Sequence, residues 1–305
     1  MAILSVKHVT SYAYATPIRL GEHRMMLRPR DSNDQRLLSA KLTIDPEPSR
    51  LHWIHDVFDN CVAVAEFRGE TERLRVESRI TVEHRSSEEP EALLDESARL
   101  YPFAYHVEEM PDLARSIERR DPDPGGEIDR WARRFVNLGG RTETGSMLMT
   151  LTYAIKEGFA YERRTAKGTQ TPLQTLESRR GSCRDFATLM MEAARALGLA
   201  ARFVTGYLYT GDRDGAESYV GGGATHAWCQ VYLPGAGWVE FDPTNGIVGS
   251  RDLIRVAVAR DARQAIPLHG YYFGAADAFD AMTVSVEVRK LGENGDGAVA
   301  AGNRK

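Results

Sequence analysis

The chain opens with short segments in which apolar and polar residues partly alternate, and this pattern predicts a β-rich region over residues 1–88. Asp, Asn, Pro and Gly residues separate the segments, as expected for strands joined by turns. The candidate strands are Glu22–Arg30, Leu37–Ile44, Cys61–Arg68 and Leu74–Val82. Their spacing favours a small antiparallel sandwich or barrel.

The apolar period becomes helical over residues 89–158. Glu127–Leu138 carries an apolar stripe of Ile128, Trp131, Phe135 and Leu138, and Gly139-Gly140 ends the pattern. Thr144–Ile155 is a second candidate helix, rich in Met, Leu and Ala. We expect this helical segment to pack on a core that follows it.

Residues 159–292 are predicted to form that core, together with C-terminal strands at Ile254–Ala259 and Met282–Val288. The last residues, 293–305, are mostly Gly, Asn, Ala and charged residues, which predicts a disordered tail. The chain therefore reads as an α+β protein with an antiparallel β domain before its core.

Composition narrows the classes of protein that fit this pattern. Hydrophobic residues make up 42% of the 305 positions and charged residues 27%, the balance of a globular protein with more than one core. The net charge is −4 with both signs interspersed, so no nucleic-acid partner is expected. The apolar runs fall far short of the ~20 residues that span a bilayer, so no membrane partner is expected either.

The N-terminus and the cysteines indicate a cytoplasmic protein. The opening MAILSVKHVTSYAYAT reads as a strand and lacks the basic and long apolar regions of a secretory signal. The three cysteines are widely spaced and odd in number, which does not suit a disulfide framework. A reducing compartment is the expectation.

One cysteine lies at the predicted start of a helix. Ser182 followed by Asp185 resembles a capping box, and an apolar face at helical spacing follows as far as Leu197. Cys183 would then occupy the first turn, where unpaired N–H groups and a partial positive charge stabilise a thiolate. The same N–H groups can hold a developing oxyanion.

A simpler interpretation is that Cys183 is a small buried hydrophobe. Gly181 and Ser182 favour the reactive interpretation, because two small residues before the thiol leave its approach open.

A predicted hairpin carries a candidate base and its partner. Its two strands flank a Pro-Gly-Ala-Gly turn, and setting both apolar faces on one side requires a loop of odd length. A four-residue loop without a bulge would instead put His226 and Asp242 on opposite faces. A three-residue loop pairs Leu233 with Gly237 and makes Asp242 the diagonal neighbour of His226, within reach of a hydrogen bond. Asp242 would then orient the His226 ring, and His226 would deprotonate Cys183.

Each of these residues also has a structural interpretation. A single His on a strand is more often structural than catalytic, and Asp242-Pro243 is a common start of a turn. The catalytic interpretation is stronger for the three residues together, because a cysteine at a helix start and a His–Asp pair on one hairpin face complete a triad.

The run GSCRDFATLMMEAARALGLAARFVTGYL followed by THAWCQVYLPGAGWVEFDPTNG resembles the core of the transglutaminase-like superfamily, over about 150–246. SYAYATPIRLGEHRMMLRPRD and DVFDNCVAVAEF resemble the N-terminal domain of bacterial transglutaminase-like proteins. The resemblance implies a papain-like core with Cys183 as nucleophile, His226 as base and Asp242 as orienting acid.

The resemblance also sets the functional alternatives. The family includes transglutaminases, deamidases, cysteine proteases and members that have lost activity. The first expectation is thiol-dependent acyl transfer on a peptide bond or a glutamine side chain, with hydrolysis favoured over transfer to an amine. The alternative is an inactive peptide-binding or scaffold protein on the same fold.

Four further residues are candidates for the oxyanion site or substrate cleft: Tyr161, Gln174, Ser182 and Trp228. Each also has a structural interpretation, in a helix, strand or cap. No metal site or cofactor is predicted, since His52 and His55 have no further His or Cys nearby. The expected partner is a peptide or protein substrate, and the pattern assigns no oligomeric state.

Overall fold

A computed structural model describes residues 1–85, 90–137, 139–163, 168–211 and 219–292. Within these ranges the chain is an α+β protein that combines a large antiparallel sheet, a smaller five-stranded sheet and five α-helices. The predicted tail at 293–305 and Leu138 of the predicted helix lie outside the described residues.

The N-terminal region is a single curled antiparallel sheet, a half-barrel built around one long strand. Its strands are β1 (Ala2–Arg28), β2 (Gln35–Asp45), β3 (Arg50–His55), β4 (Cys61–Glu66) and β5 (Thr71–His84). Buried and less buried residues alternate along the first half of β1, which places one face of the strand in the core. The sequence prediction of an antiparallel β domain is confirmed.

The remaining elements follow in chain order. The short strands are β6 (Leu100–Tyr101), β7 (Thr142–Glu143), β8 (Ala160–Tyr161) and β9 (Arg180–Gly181). The longer ones are β10 (Ala201–Leu208), β11 (His226–Leu233) and β12 (Gly237–Asp242), followed by β13 (Ile247–Val248), β14 (Leu253–Ala259), β15 (Leu268–Phe273) and β16 (Phe279–Leu291). The helices are α1 (Met110–Ile117), α2 (Glu127–Arg133), α3 (Thr144–Gly158), α4 (Pro172–Ser178) and α5 (Cys183–Ala196).

The C-terminal strands correct the sequence analysis, which had placed the strand at Met282–Val288 with the core. β15 and β16 instead pair with β1, antiparallel, so the chain returns to the N-terminal sheet. β5 occupies the other side of β1 over the same stretch as β16. The N–H and C=O groups along an open edge need partners, and β16 supplies them. Alternation within a strand does not reveal which sheet the strand joins.

The core region is a five-stranded sheet in the order β13-β12-β11-β10-β14, with α5 packed against it. The apolar faces of α5 and β11 enter one buried cluster, which includes Phe186, Leu189, Ala227 and Val231. The prediction that this face of the hairpin is apolar is confirmed. Burying it fixes the rotation of α5 and thereby the position of its first residue.

The helix α2 is shorter than predicted. It ends at Arg133, and the next N–H groups bond three residues back, as in a 3₁₀ turn. Phe135 nevertheless stays beside Trp131, with ring centroids 5.2 Å apart.

The two sheets pack directly on one another. Leu4, Val6 and Val82 of the N-terminal sheet form one buried cluster with Tyr207 and Ile254 of the core sheet. Polar contacts supplement this cluster, including a hydrogen bond of 3.0 Å between the His8 ring and the Tyr207 hydroxyl. The N-terminal sheet therefore supports the sheet that carries the candidate site.

Candidate active site

Cys183 is the first residue of α5, and its helix start is held by hydrogen bonds. The Asp185 carboxylate accepts from the backbone N–H and from the hydroxyl of Ser182, both at 2.8 Å. A Cβ on residue 181 would lie 2.9 Å from the Asp185 Cβ, so only glycine fits there without a shift. The Cys183 residue is 7% exposed, which keeps its thiol largely out of water.

The candidate base and its partner meet across the β11–β12 hairpin. β12 pairs with β11 in the register Leu233 to Gly237, as predicted from the odd loop. His226 Nε2 and Asp242 Oδ2 are 2.7 Å apart, and both side chains are buried. Because Asp242 is an acceptor, Nε2 is assigned as the donor, and Nδ1 is left to face other groups.

The Cys183 side chain lies near the His226 ring. His226 Nδ1 makes no regular hydrogen bond with any described residue, yet Cys183 lies close enough to act on the ring electrostatically. Contacts between nucleophile and base are often loose before substrate binds. The arrangement presents a thiol, an imidazole and a carboxylate in that order.

Burial and charge act in opposite directions on the histidine. Burial alone would lower the pKa of the His226 imidazole, but the Asp242 carboxylate and the Cys183 side chain raise it to about 10. For Asp242 the directions are reversed. Burial would raise the pKa of its carboxyl group, whereas the neighbouring imidazole and hydrogen bonds hold that pKa below its ordinary value. The pair thus favours a charged imidazolium beside the thiol.

Asn245 is a member of this site that the sequence analysis missed. Its Nδ2 donates to Asp242 Oδ2 at 2.9 Å, while its Oδ1 accepts from the Val220 N–H at 2.8 Å. The Thr244 N–H donates to the second carboxylate oxygen, also at 2.9 Å. The sequence could have indicated this role, because Asn245 is the third residue after Asp242 in the run DPTN and is well placed for turn hydrogen bonds.

Tyr161 is brought to the site by a short parallel pairing. β8 pairs with β9 so that Tyr161 lies opposite Gly181, two residues before Cys183. Burial and the adjacent Cys183 side chain raise the pKa of Tyr161 to about 12, so its hydroxyl stays protonated at neutral pH. Its ring packs edge-on against Phe186 of α5.

Gly221 lies close to the His226 ring. Gly221 has φ +96°, and a Cβ at this position would lie 3.1 Å from His226 Nδ1 and 3.8 Å from the Tyr161 hydroxyl. These distances place Gly221 at the rim of the site, beside the histidine. The preceding residues 212–218 lie outside the described part of the chain.

Two of the predicted cleft residues have other positions. Gln174 is exposed, and its side chain forms a capping box with Thr171 at the start of α4. Trp228 is fully buried and stacks on the His226 ring, with centroids 5.9 Å apart. Trp228 shares the strand face of His226 but does not line a cleft, because it is packed in a buried cluster with Val204 and Leu253. Ser182 is the N-cap of α5.

The other cysteines have different surroundings. Cys229 is completely buried, which raises its pKa, and its thiol donates to the Phe241 carbonyl. Cys61 is half-buried on the N-terminal sheet, 3.6 Å from His55 Nε2. No group of three or more His, Cys, Asp or Glu residues suited to a metal ion occurs in the described ranges.

Comparison with known proteins agrees with both regions of the fold. Residues 4–83 match the bacterial transglutaminase-like N-terminal region, and residues 130–243 match the transglutaminase-like superfamily. The chain belongs to the transglutaminase-like superfamily. This superfamily typically contains Cys-His-Asp enzymes.

Relatives of this transglutaminase-like chain occur in mycobacteria. An uncharacterized protein of Mycobacterium tuberculosis is 29% identical over 290 residues, which are 93% of this chain and 91% of that protein. A protein of Mycobacterium leprae, also uncharacterized, is 27% identical over 289 residues, or 94% of this chain and 99% of its own length.

A solved structure supports the same fold. The structure of a candidate cysteine protease from Cytophaga hutchinsonii has a TM-score of 0.69 and 19% identity, and the match covers 96% of this chain and 92% of that one. At this identity the likeness shows the transglutaminase-like fold alone. Within the described residues, no helix is both long and apolar enough to cross a membrane.

Proposed function

We propose that this protein is a thiol-dependent acyl-transfer enzyme that hydrolyses amide bonds through an acyl-enzyme on Cys183. The observation that carries the proposal is the buried hydrogen bond of 2.7 Å between His226 Nε2 and Asp242 Oδ2. It leaves Nδ1 available to exchange a proton with the thiol at the start of α5.

In the first half-reaction the Cys183 sulfur attacks the carbonyl carbon of the substrate amide, and a C–S bond forms. The proton of the Cys183 thiol resides on the His226 ring, whose imidazolium form the Asp242 carboxylate favours, and the carbonyl electron pair moves to the oxygen. The C–N bond then breaks, and the leaving amine takes the proton from the imidazolium. Asp242 keeps the ring oriented and stabilises its positive charge in between.

The developing oxyanion needs hydrogen-bond donors. The N–H groups of the first turn of α5 are unpaired within the helix and carry its positive end. The Tyr161 hydroxyl is the side-chain donor that we assign to the other half of the oxyanion hole, because it is protonated and adjacent to Cys183. Gln174, whose side chain caps α4, is not proposed for this role.

In the second half-reaction water attacks the thioester carbonyl while His226 accepts its proton. The C–S bond breaks, an acid is released and the thiol is restored with the proton from the ring. We favour water over an amine as acceptor, because water is always present and transfer needs a dedicated amine subsite. The substrate class is a peptide bond or a glutamine side-chain amide.

A labelling experiment tests the thiol chemistry. Iodoacetamide is applied near pH 7, and mass spectrometry follows the peptides containing Cys183, Cys61 and Cys229. We expect Cys183 to react fastest, and its rate to fall about 10-fold or more in a His226→Ala variant. Equal labelling of Cys183 and Cys61, unchanged by that variant, would favour the peptide-binding scaffold instead.

A substrate screen tests the reaction. Peptide and glutamine substrates are incubated with wild type and with Cys183→Ala, with and without an added primary amine. Release of acid or ammonia by wild type alone, independent of the amine, is the expected result. A product that forms only when the amine is present would assign transfer rather than hydrolysis.

A further inference from the structure

A cavity of about 390 Å³ lies where the N-terminal sheet meets the core sheet, with no residue of the Cys183, His226 and Asp242 triad in its wall. The loop around Asp31 and Asp34 forms one side, and Phe58 from the β3–β4 turn forms another. The floor is the outer face of β10, β11 and β12, with Arg202 and Trp238 among its side chains. The volume suits a small organic molecule.

Arg202 is the unusual residue of this cavity. Its Nε donates to Gln230 Oε1 at 2.7 Å, and its guanidinium stacks on the Trp238 ring, 4.1 Å from the centroid. Within the described part of the chain it has no carboxylate partner. Phe58, Arg202 and Trp238 also line a neighbouring cavity of about 870 Å³, so solvent can approach the guanidinium from two sides.

The nearby carboxylates are already engaged with other arginines. Arg255 contacts both Asp34 and Glu240, and Arg30 contacts Asp59. Asp31, at the exposed rim, accepts from the Leu37 N–H. Asp34, Glu240 and Asp59 are therefore paired with arginines other than Arg202.

The surroundings of Arg202 disfavour its positively charged form. Burial and the nearby Arg255 lower the pKa of its guanidinium to about 9. The Gln230 hydrogen bond and the Trp238 stack nevertheless fix the orientation of the guanidinium, and its two terminal nitrogens have no hydrogen-bond partner among the described residues. A planar guanidinium in this orientation can donate two parallel hydrogen bonds to the two oxygens of a carboxylate.

We propose that the cavity binds a small monocarboxylate, held by two hydrogen bonds to the Arg202 guanidinium and packed against Trp238 and Phe58. Apart from Arg202, the wall carries three acidic residues, Asp31, Asp34 and Glu240, and two arginines, Arg30 and Arg255, so the Arg202 guanidinium can balance one negative charge on a ligand but not two. The site should therefore select monoanions over phosphate or a dicarboxylate.

Thermal unfolding tests this site with benzoate, which is a flat monocarboxylate, and with benzamide, which has the same shape without charge. Benzoate should raise the wild-type Tm in proportion to the logarithm of its concentration above Kd, by about 5 °C at 100-fold excess over Kd. Benzamide, inorganic phosphate and sodium chloride at equal ionic strength should not. A dipeptide with a free C-terminus, compared with its amide, distinguishes a peptide terminus from a free acid as the source of the carboxylate.

Two arginine variants complete the design. Arg202→Gln should abolish the benzoate shift, whereas Arg289→Gln, the same change on an exposed arginine of β16, should leave it intact. If Arg202→Gln does not fold, Arg202→Lys keeps the positive charge without the planar guanidinium and should weaken benzoate binding at least 10-fold. Wild type that responds equally to benzoate and benzamide, or variants with undiminished benzoate shifts, would overturn the proposal.

Discussion

The side-chain amide of Asn245 lies 2.9 Å from the Asp242 oxygen that also binds His226. The same amide contacts both the N–H and the carbonyl of Val220, the residue before Gly221. One side chain therefore orients the carboxylate of the proposed triad and holds the glycine rim against its histidine.

Replacing Asn245 by Ala should reduce Cys183 alkylation about 10-fold and lower stability by about 1–3 kcal/mol. The substitution removes a donor to Asp242 and leaves the Val220 N–H without its acceptor. Alkylation rates across a pH series and urea unfolding measure the two effects. Asn33→Ala, in an exposed loop, serves as the control. A loss of stability with an unchanged pH profile of alkylation would mean that Asn245 is structural only.

Gly221→Ala should slow Cys183 chemistry more than Gly223→Ala does. Both glycines have positive φ, so each substitution strains the backbone by about 1 kcal/mol. A Cβ at 221 would meet His226 Nδ1 at 3.1 Å, whereas one at 223 would meet nothing within 4 Å. The ratio of the two alkylation rates isolates this contact. Equal rates in the two variants would refute a role for Gly221 in access to the ring.

Tyr161→Phe should lower kcat about 100-fold with little change in KM, if its hydroxyl stabilises the oxyanion. Packing of the ring on Phe186 is retained, so the midpoint of urea unfolding should hardly move. Steady-state kinetics on the substrate found in the screen measures the effect, with the exposed Tyr153 changed to Phe as control. A change confined to KM would assign Tyr161 to substrate binding.

Stability should fall as pH rises from about 7 to 10. The pKa of His226 in the folded protein, about 10, exceeds its ordinary value of 6.5. Its contribution is therefore complete below pH 6.5 and is lost as pH rises through 10, on the order of a few kcal/mol. Asp242 has a lowered pKa, so its contribution is lost only as pH falls through that lowered value.

Urea unfolding at several pH values checks this dependence. The slope of unfolding free energy between pH 7 and 10 should flatten in His226→Gln and persist in a variant of the exposed His106. The slope is the relevant readout, because His226→Gln also leaves Asp242 without its partner and lowers stability at every pH. A wild-type slope indistinguishable from that of His226→Gln would contradict the raised pKa.

Local patterns in the sequence predicted much of the fold. The alternation of Ala227, Cys229 and Val231 against His226 and Trp228, with an odd loop, was enough to set the hairpin register. The Ser182–Asp185 spacing located the first turn of α5. Both features depend on residues that are close together in the chain. Side-chain alternation determines the strand register, and the capping residues determine where the helix begins.

Contacts between distant segments needed the tertiary structure. Trp228 could have faced a cleft or a core, and packing against Val204 and Leu253 placed it in a buried cluster. The strand β16 could have joined either sheet, and the open edge of β1 decided between them.

The sequence by itself determined the family, the elements and the residue types of the proposed triad. Only the tertiary structure decided which groups surround it, namely Asn245, Gly221 and Tyr161, and it alone placed Arg202 at a cavity with no carboxylate of the described residues paired to its guanidinium. The reason is physical. Periodicity and capping act over a few residues, whereas burial and charge pairing depend on which distant surfaces come together.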